Sequence, residues 1–352
     1  MLISAARFGA YRLPLVTPWQ SNAGSWRARE GWLIQITDDH GNTGYGDVAP
    51  LPEIGTETLQ QSEERLHALL PTLINRKSEQ VFCLLPNAAA TPATRFGLET
   101  ALLDLQSKQR AIPLYRLLAD QAIKAVQINA SIGSLDNQVL ERASSAVTAG
   151  HTTLKVKLGL YPMSEELTQL YRLSDQLPAN CRLRLDANRA WKADEATRLI
   201  NELKGLPIES FEEPLQNTDP EIIKQLQAAA CFDLALDESL GSFLLDHSLE
   251  QLPVRRIIIK PTLLGGLIPS LELIQQAHQL DIRSVITSSL ESSAGIWPLL
   301  HLAATADQLT MAAIHGLATA SLFSTDLGSA PIITNGQIQL GDLPGSGFIL
   351  SR

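Results

Sequence analysis

From about residue 124 the chain repeats one pattern, a short apolar run followed by a stretch of helical spacing. The runs fall at 126–133 (VQINASIG), 152–159 (TTLKVKLG), 181–188 (CRLRLDAN), 208–215 (IESFEEPL), 232–239 (FDLALDES), 255–262 (RRIIIKPT) and 283–289 (RSVITSS), with a weaker one at 311–317. Strand and helix in strict alternation predict βα units around a parallel sheet. Seven or eight such units predict a closed barrel, and no GxGxxG follows the first run to suggest a dinucleotide site. Upstream the texture differs. Residues 29–48, REGWLIQITDDHGNTGYGDV, alternate on both sides of a turn rich in Asp, Gly and Asn, which predicts a hairpin. Residues 57–76 and 91–109 carry helical spacing, through Leu59, Leu66, Leu69 and Leu70 in one and Leu98, Ala101, Leu102 and Leu105 in the other. The reading is an α/β chain: an α+β domain over 1–123, a barrel over 124–318 and a short segment over 319–352 with β character.

At 352 residues there is room for a barrel and a smaller domain. The 28 Lys+Arg against 37 Asp+Glu leave a net charge of −9, and no basic run could neutralise a phosphate backbone, so nucleic acid is not an expected partner. No segment has the apolar length of a signal sequence or a membrane span, so the expectation is a cytoplasmic protein with no membrane partner. Cys83, Cys181 and Cys231 lack CxxC spacing and read as small buried residues.

The ends of the candidate strands carry the chemistry. Asp186 and Asn188, Glu212 and Glu213, Asp237 and Glu238, and Lys260 each finish a run, and Asp186, Glu212, Asp237 and Lys260 lie 26, 25 and 23 residues apart. Each is one βα unit beyond the last, which predicts a ring at the barrel mouth where such enzymes gather their chemistry. A lone strand-end acid more often caps the following helix. Three at matching intervals instead predict a site for a hard divalent cation. With oxygen donors and no His or Cys beside them, Mg²⁺ fits better than Zn²⁺, and Mn²⁺ is the natural substitute. Lys155 and Lys157 are two apart on a strand and so share a face; mutual repulsion would lower the pKa of one towards that of a base at neutral pH.

KVK at 155–157, LDAN at 185–188, FEEP at 211–214, LDES at 236–239, IKPTLLGG at 259–266 and SSLESSAG at 288–295 together resemble the o-succinylbenzoate synthase branch of the enolase superfamily, in the subgroup of muconate-lactonizing enzyme. GYGDVAPLP at 44–52 is similar to that family's N-terminal domain. The resemblance implies a modified (β/α)7β barrel under an α+β capping domain, with the C-terminal segment packing back on the cap. It also implies Asp186, Glu212 and Asp237 as metal ligands, with Glu213 supporting them from behind. Lys157 is implied as the residue that removes a proton beside a carboxylate, and Lys260 as the cation facing it. The implied reaction is a hydro-lyase step of menaquinone or phylloquinone synthesis, the dehydration of 2-succinyl-6-hydroxy-2,4-cyclohexadiene-1-carboxylate to 2-succinylbenzoate.

The nearest rival is racemisation of N-succinylamino acids, which needs the same lysines and metal. A dipeptide epimerase is disfavoured because AAIHGLATASL lacks the acid pair expected near the last strand. For the anionic substrate, the family's succinyl site falls on Ser288, Ser289 and Ser292, while Glu291 is open between that region and a pairing with Lys260. Residues 17–31 occupy the place of a mobile capping loop, where Arg27 or Arg29 could close over an anion or simply be solvated. Lys155 and Asn188 complete the candidate set, and His315 reads as a hydrogen-bonded structural histidine. Oligomeric state is open.

Overall fold

The computed structural model describes residues 1–21 and 24–351. The chain opens with an antiparallel sheet of β1 (Ile3–Ser21), β2 (Gly24–Asp38) and β3 (Thr43–Val48), in that order. The β2–β3 turn closes because Asp38 Oδ1 accepts the amides of His40 and Asn42, both at 2.9 Å, an Asx-type turn. Residues 17–21 and 24–31, expected as part of a loop, are instead strand. Trp19 stands opposite Trp26 and Ser21 opposite Gly24 in one long hairpin. Asn22 and Ala23 lie outside the described residues. Two tryptophans at opposed positions give that tip a cross-strand pair that polar neighbours mask in the linear pattern.

Helix α1 (Leu59–Leu73) starts with a capping box in which Thr58 and Gln61 satisfy each other's amides. Its Leu66 and Leu70 meet Ile3, Ile34 and Ile36 of the sheet and Leu98 and Leu102 of α2 (Pro92–Gln109) in one apolar cluster. Helix α2 is buried along nearly its whole length, because β3 covers one side and the barrel the other. The approach to β3 is so close that a Cβ on Gly46 would stand 1.9 Å from Gly97 O.

The barrel begins at β4 (Ala125–Ile128) and β5 (Ala130–Ser134), one strand interrupted at Asn129. There follow α3 (Val139–Thr148), β6 (Thr153–Lys157), α4 (Met163–Gln176), β7 (Arg182–Asp186), α5 (Ala193–Glu202), β8 (Ile208–Glu212), α6 (Pro220–Ala229) and β9 (Asp233–Leu236). Then come α7 (Glu238–Asp246), β10 (Arg256–Ile259), α8 (Leu267–Gln279), β11 (Arg283–Ile286), α9 (Ser293–Leu309) and β12 (Ile314–His315). Strands β5 to β11 pair in sequence order and in parallel. The ring closes through β12, which pairs with β4 and reaches β11 by the Thr287–Gly316 bridge. His315 secures that seam: its Nδ1 accepts from Ile286 N at 3.0 Å and its Nε2 donates to Asp307 at 3.1 Å. Each strand from β5 to β11 is followed by an α-helix, and β12 only by the short 3-10 helix Thr319–Leu322, which is the (β/α)7β pattern.

Leu154, Leu183, Leu185, Phe211, Leu234 and Ile257 point outward into the helix layer, while Ala235, Ile258 and Val285 form a small apolar patch of their own. Below the mouth the interior is charged. Arg184 pairs with Glu209 at 2.9 Å, and Arg256 reaches Glu209 at 2.6 Å and Asp233 at 3.0 Å. The register slips between Leu183–Ile208 and Arg184–Ser210, so Glu209 is the extra residue at a bulge. Burial would raise its pKa, yet Arg184 and Arg256 outweigh that and hold it at about 2.

After β12 the chain touches both domains. β13 (Gln337–Gln339) runs antiparallel to β4, Leu15 bridges to Phe323, and Ser346 N donates to Asp104 of α2 at 2.7 Å. Cys181 is buried as expected, but Cys83 and Cys231 are exposed, since one lies on a surface turn and the other in the loop before β9; all three are free. Among the described residues no helix is long and apolar enough to cross a membrane.

The contact between β3 and α2 gives a direct test. Gly46→Ala must push the helix off the sheet, and we expect a loss of about 1–3 kcal/mol, read as a lower urea midpoint with an unchanged slope.

Candidate active site

Parallel strands all finish at the same rim, and a side-chain period of two decides what each presents there. Lys155 and Lys157 on β6, Asp186 on β7, Glu212 on β8, Asp237 after β9 and Lys260 after β10 line one cavity of about 500 Å³. Eight strands close the ring when β4 and β5 count as one, so β6 and β10 lie half a turn apart. Lys157 and Lys260 thus enter from opposite sides.

The charges are interleaved. Lys155 Nζ lies 3.0 Å from Asp186 and also bonds Glu212, while Lys260 bonds Asp237. Burial alone would pull Lys155 down, but Asp186, Glu212 and Asp237 outweigh it and hold the ammonium firmly charged. Lys157 behaves differently. It donates to Asn188 Oδ1 at 3.0 Å, and its pKa is lowered, chiefly by burial, with Lys155 and Lys260 assisting against Asp186 and Glu238. Repulsion between the paired lysines, the cause expected from the sequence, is therefore secondary to desolvation. Glu212 is pushed up to about 7, mainly by burial and further by Asp186 and Asp237 against the pull of Lys155.

Glu213 does not line the cavity. It turns behind the rim with a φ of 44° and accepts from Asp237 N and Ser239 N, both at 2.8 Å, and from Ser239 Oγ at 2.7 Å. It thereby fixes the backbone from which Asp237 projects. Glu238 was passed over as a site residue, yet it lines the cavity and accepts from Asn188 Nδ2 at 2.8 Å. Its signal was the second acid of LDES. Trp19 and Trp26 cover the cavity from the cap, and Lys157 Nζ lies 5.9 Å from the Trp19 ring centre. Thr319, whose position in the sequence carried no signal, bonds Ser288.

The other candidates separate. Ser288 and Ser289 line the cavity, and Ser289 Oγ is buried without a hydrogen-bond partner among the described residues. Glu291 does not pair with Lys260: its carboxylate accepts from Thr262 and from Ser289 N at 2.7 Å. Ser292 points away from the cavity and donates through N and Oγ to Asp47, at 2.7 and 2.8 Å. Arg29 is buried against backbone carbonyls, so it is not free to close over an anion, and Arg27 is exposed and lines no part of the cavity.

Among the described residues no three His, Cys, Asp or Glu side chains already stand as a ready-made metal cluster. The reason lies in the ion pairs, since Lys155 sits between Asp186 and Glu212 and Lys260 holds Asp237. The donor set nevertheless suits a hard cation: three carboxylates stand at adjacent strand ends around one cavity.

Residues 138–352 match the family model described as enolase C-terminal domain-like, and residues 4–105 match that of the MenC N-terminal domain. The o-succinylbenzoate synthase of Yersinia enterocolitica is 32% identical over 324 residues, 89% of this chain and 91% of that protein. The chain belongs to the o-succinylbenzoate synthase family of the enolase superfamily. Solved structures share the fold. The N-succinyl Arg/Lys racemase of Bacillus cereus superposes with a TM-score of 0.88 at 22% identity, covering 100% of this chain and 96% of that one. The dipeptide epimerase of Methylococcus capsulatus, complexed with Mg and the dipeptide L-Arg-D-Lys, gives 0.87 at 25% identity, covering 99% and 100%.

Burial of the rim acids has a measurable sign. Glu212 near 7 retains a proton that the unfolded chain, with a carboxyl near ~4.3, has already released. Between those values the native state binds more protons, so this group's contribution to stability falls as pH rises. His301, pushed down to about 4 by burial, gives the opposite slope over an overlapping range. The diagnostic is therefore the difference from Glu212→Gln. In chelator, the wild type should lose stability relative to the variant from pH 5 to pH 7 in urea titrations, and a constant difference would refute the assignment.

Proposed function

We propose that the chain is an o-succinylbenzoate synthase that dehydrates 2-succinyl-6-hydroxy-2,4-cyclohexadiene-1-carboxylate to 2-succinylbenzoate in menaquinone synthesis. The observation that carries the reading is the placement of Lys157 and Lys260 on opposite walls of the carboxylate-rimmed cavity, with Lys157 lowered and Lys260 raised. In this reading Asp186, Glu212 and Asp237 hold Mg²⁺, or Mn²⁺ in its place. Glu213 supports Asp237 through the backbone. The cation supplies electrostatic stabilisation for the charge that grows on the substrate carboxylate as the adjacent proton leaves.

The chain's own groups do the rest. Lys157, held towards the cavity by Asn188, takes the proton beside the carboxylate. The electron pair left behind forms the last ring double bond as the hydroxyl departs. Lys157 returns its proton to that hydroxyl, and water and an aromatic product leave. Burial pulls Lys260 down, but Asp237 and Glu238 outweigh it and raise its pKa, so it stays cationic and balances developing charge without giving up a proton. Ser288 and Ser289 line the same cavity, on the side where this reading places the succinyl tail.

The opposed lysines also favour a second activity, racemisation of N-succinylamino acids, in which each face of the carbon needs its own acid–base partner. Product analysis with the cyclohexadiene and an N-succinylamino acid in parallel distinguishes the two. We expect kcat/KM to favour the cyclohexadiene by orders of magnitude and chelation to abolish turnover without unfolding. Equal or better turnover of the N-succinylamino acid would transfer the assignment to a racemase.

Lys157→Ala should lower kcat by about 10²–10⁴-fold with a much smaller change in KM. Lys260→Arg retains charge but not a transferable proton, so it should cost more of any racemase activity than of dehydration. Unchanged turnover in Lys157→Ala would remove the proposed base.

A further inference from the structure

Arg29 has the residue type of an anion contact, but its surroundings give it another task. It is 3% exposed. Its Nε donates to Leu290 O at 3.2 Å, Nη1 to Pro50 O at 3.0 Å and Nη2 to Ala49 O at 2.7 Å. Ala49 and Pro50 follow β3 in the cap and lead into Leu51, whereas Leu290 belongs to the turn between β11 and α9 in the barrel. Leu51, Ser288, Ser289 and Leu290 all line the cavity. One guanidinium therefore ties two walls of the site together, one from each domain.

The barrel turn needs holding. Leu290 has a φ of 63°, in the left-handed region that a side chain disfavours, and such a conformation persists where its surroundings over-determine it. A second tie runs beside the first: Asp47, which accepts from Tyr11, also accepts both groups of Ser292. Ser288 Oγ takes up the Leu290 amide at 3.3 Å. The turn that carries Ser288 and Ser289 is thus held at Leu290 and Ser292 from across the domain boundary.

We propose that Arg29 is a positioning residue that clamps the 288–292 turn to the 49–51 segment and so sets where the hydroxyl wall meets the substrate. The kinetic consequence rests on the function proposed above; the clamp itself does not. The planar fork is essential, because its donors point along separate directions towards carbonyls of two segments. A lysine carries the same charge on one nitrogen and cannot span them.

The test compares Arg29→Lys and Arg29→Met with Arg12→Met, which removes an exposed arginine of the same sheet, paired with Glu30 at 3.1 Å. Hydrogen exchange is followed in peptides covering 47–56 and 287–293. Both Arg29 variants should exchange faster by about tenfold in both segments together, and Arg12→Met in neither. With the cyclohexadiene, KM should rise by about tenfold while kcat stays within about threefold, since the lysines and acids sit on other strands. Faster exchange in one segment alone, an Arg29→Lys protein indistinguishable from wild type, or a fall in kcat equal to that in kcat/KM would each overturn the clamp. If Arg29→Met fails to fold, Arg29→Lys decides. If the wild type turns over no succinyl substrate, the functional reading fails and the exchange result still judges the clamp.

Discussion

The barrel mouth depends on one constraint: charges taken out of water must be compensated by other charges within a few ångströms. Asp186, Glu212 and Asp237 can share a rim because Lys155 and Lys260 stand among them. The compensation is incomplete, and the shortfall is informative. It leaves Glu212 close to taking a proton and Lys157 easier to deprotonate than a solvated lysine. Removing any one partner would strand another in a low-dielectric space, so the rim behaves as a unit. The same rule operates lower in the barrel, where Glu209, Asp233, Arg184 and Arg256 replace part of the aliphatic filling usual in such interiors.

How much of this was legible follows from which features are periodic. The βα interval and the two-residue alternation of strands are properties of the backbone, so strand ends such as Asp186 and Glu212 could be located by counting. Their common cavity follows from parallel strands ending together. Glu209 was illegible because its inward direction comes from a register slip against β7, and the slip leaves no mark on the composition of IESFEEPL. The strands over 17–21 and 24–31 are hard to read for a related reason: their pairing is cross-strand, Trp19 against Trp26, and a linear pattern does not show which residues will face each other. Arg29 was readable as a residue that matters and unreadable as to why, since backbone carbonyls carry no signature in the residues that bear them.

The two domains divide the labour differently from what their sizes suggest. Strands β6 to β10 carry the acids and lysines, and their rigidity comes from the barrel's own pairing. The part of the cavity lined by Trp19, Trp26 and Leu51 comes from the cap, and the serine-bearing turn after β11 is held partly by cap residues. The charged rim and the serine-bearing turn are thus built on separate elements that meet at a polar seam.

The pairing of β4 has a consequence for how the protein is made. Its edges are occupied by β12 (Ile314–His315) and β13 (Gln337–Gln339), both far later in the chain. A ribosome delivers β4 well before either partner, so the strand emerges with both edges open and the barrel stays unclosed until β12 has left the exit tunnel. Open edges recruit other strands. Over that interval the growing sheet carries an unpaired edge at β4, and ring closure has to wait for a strand made long afterwards.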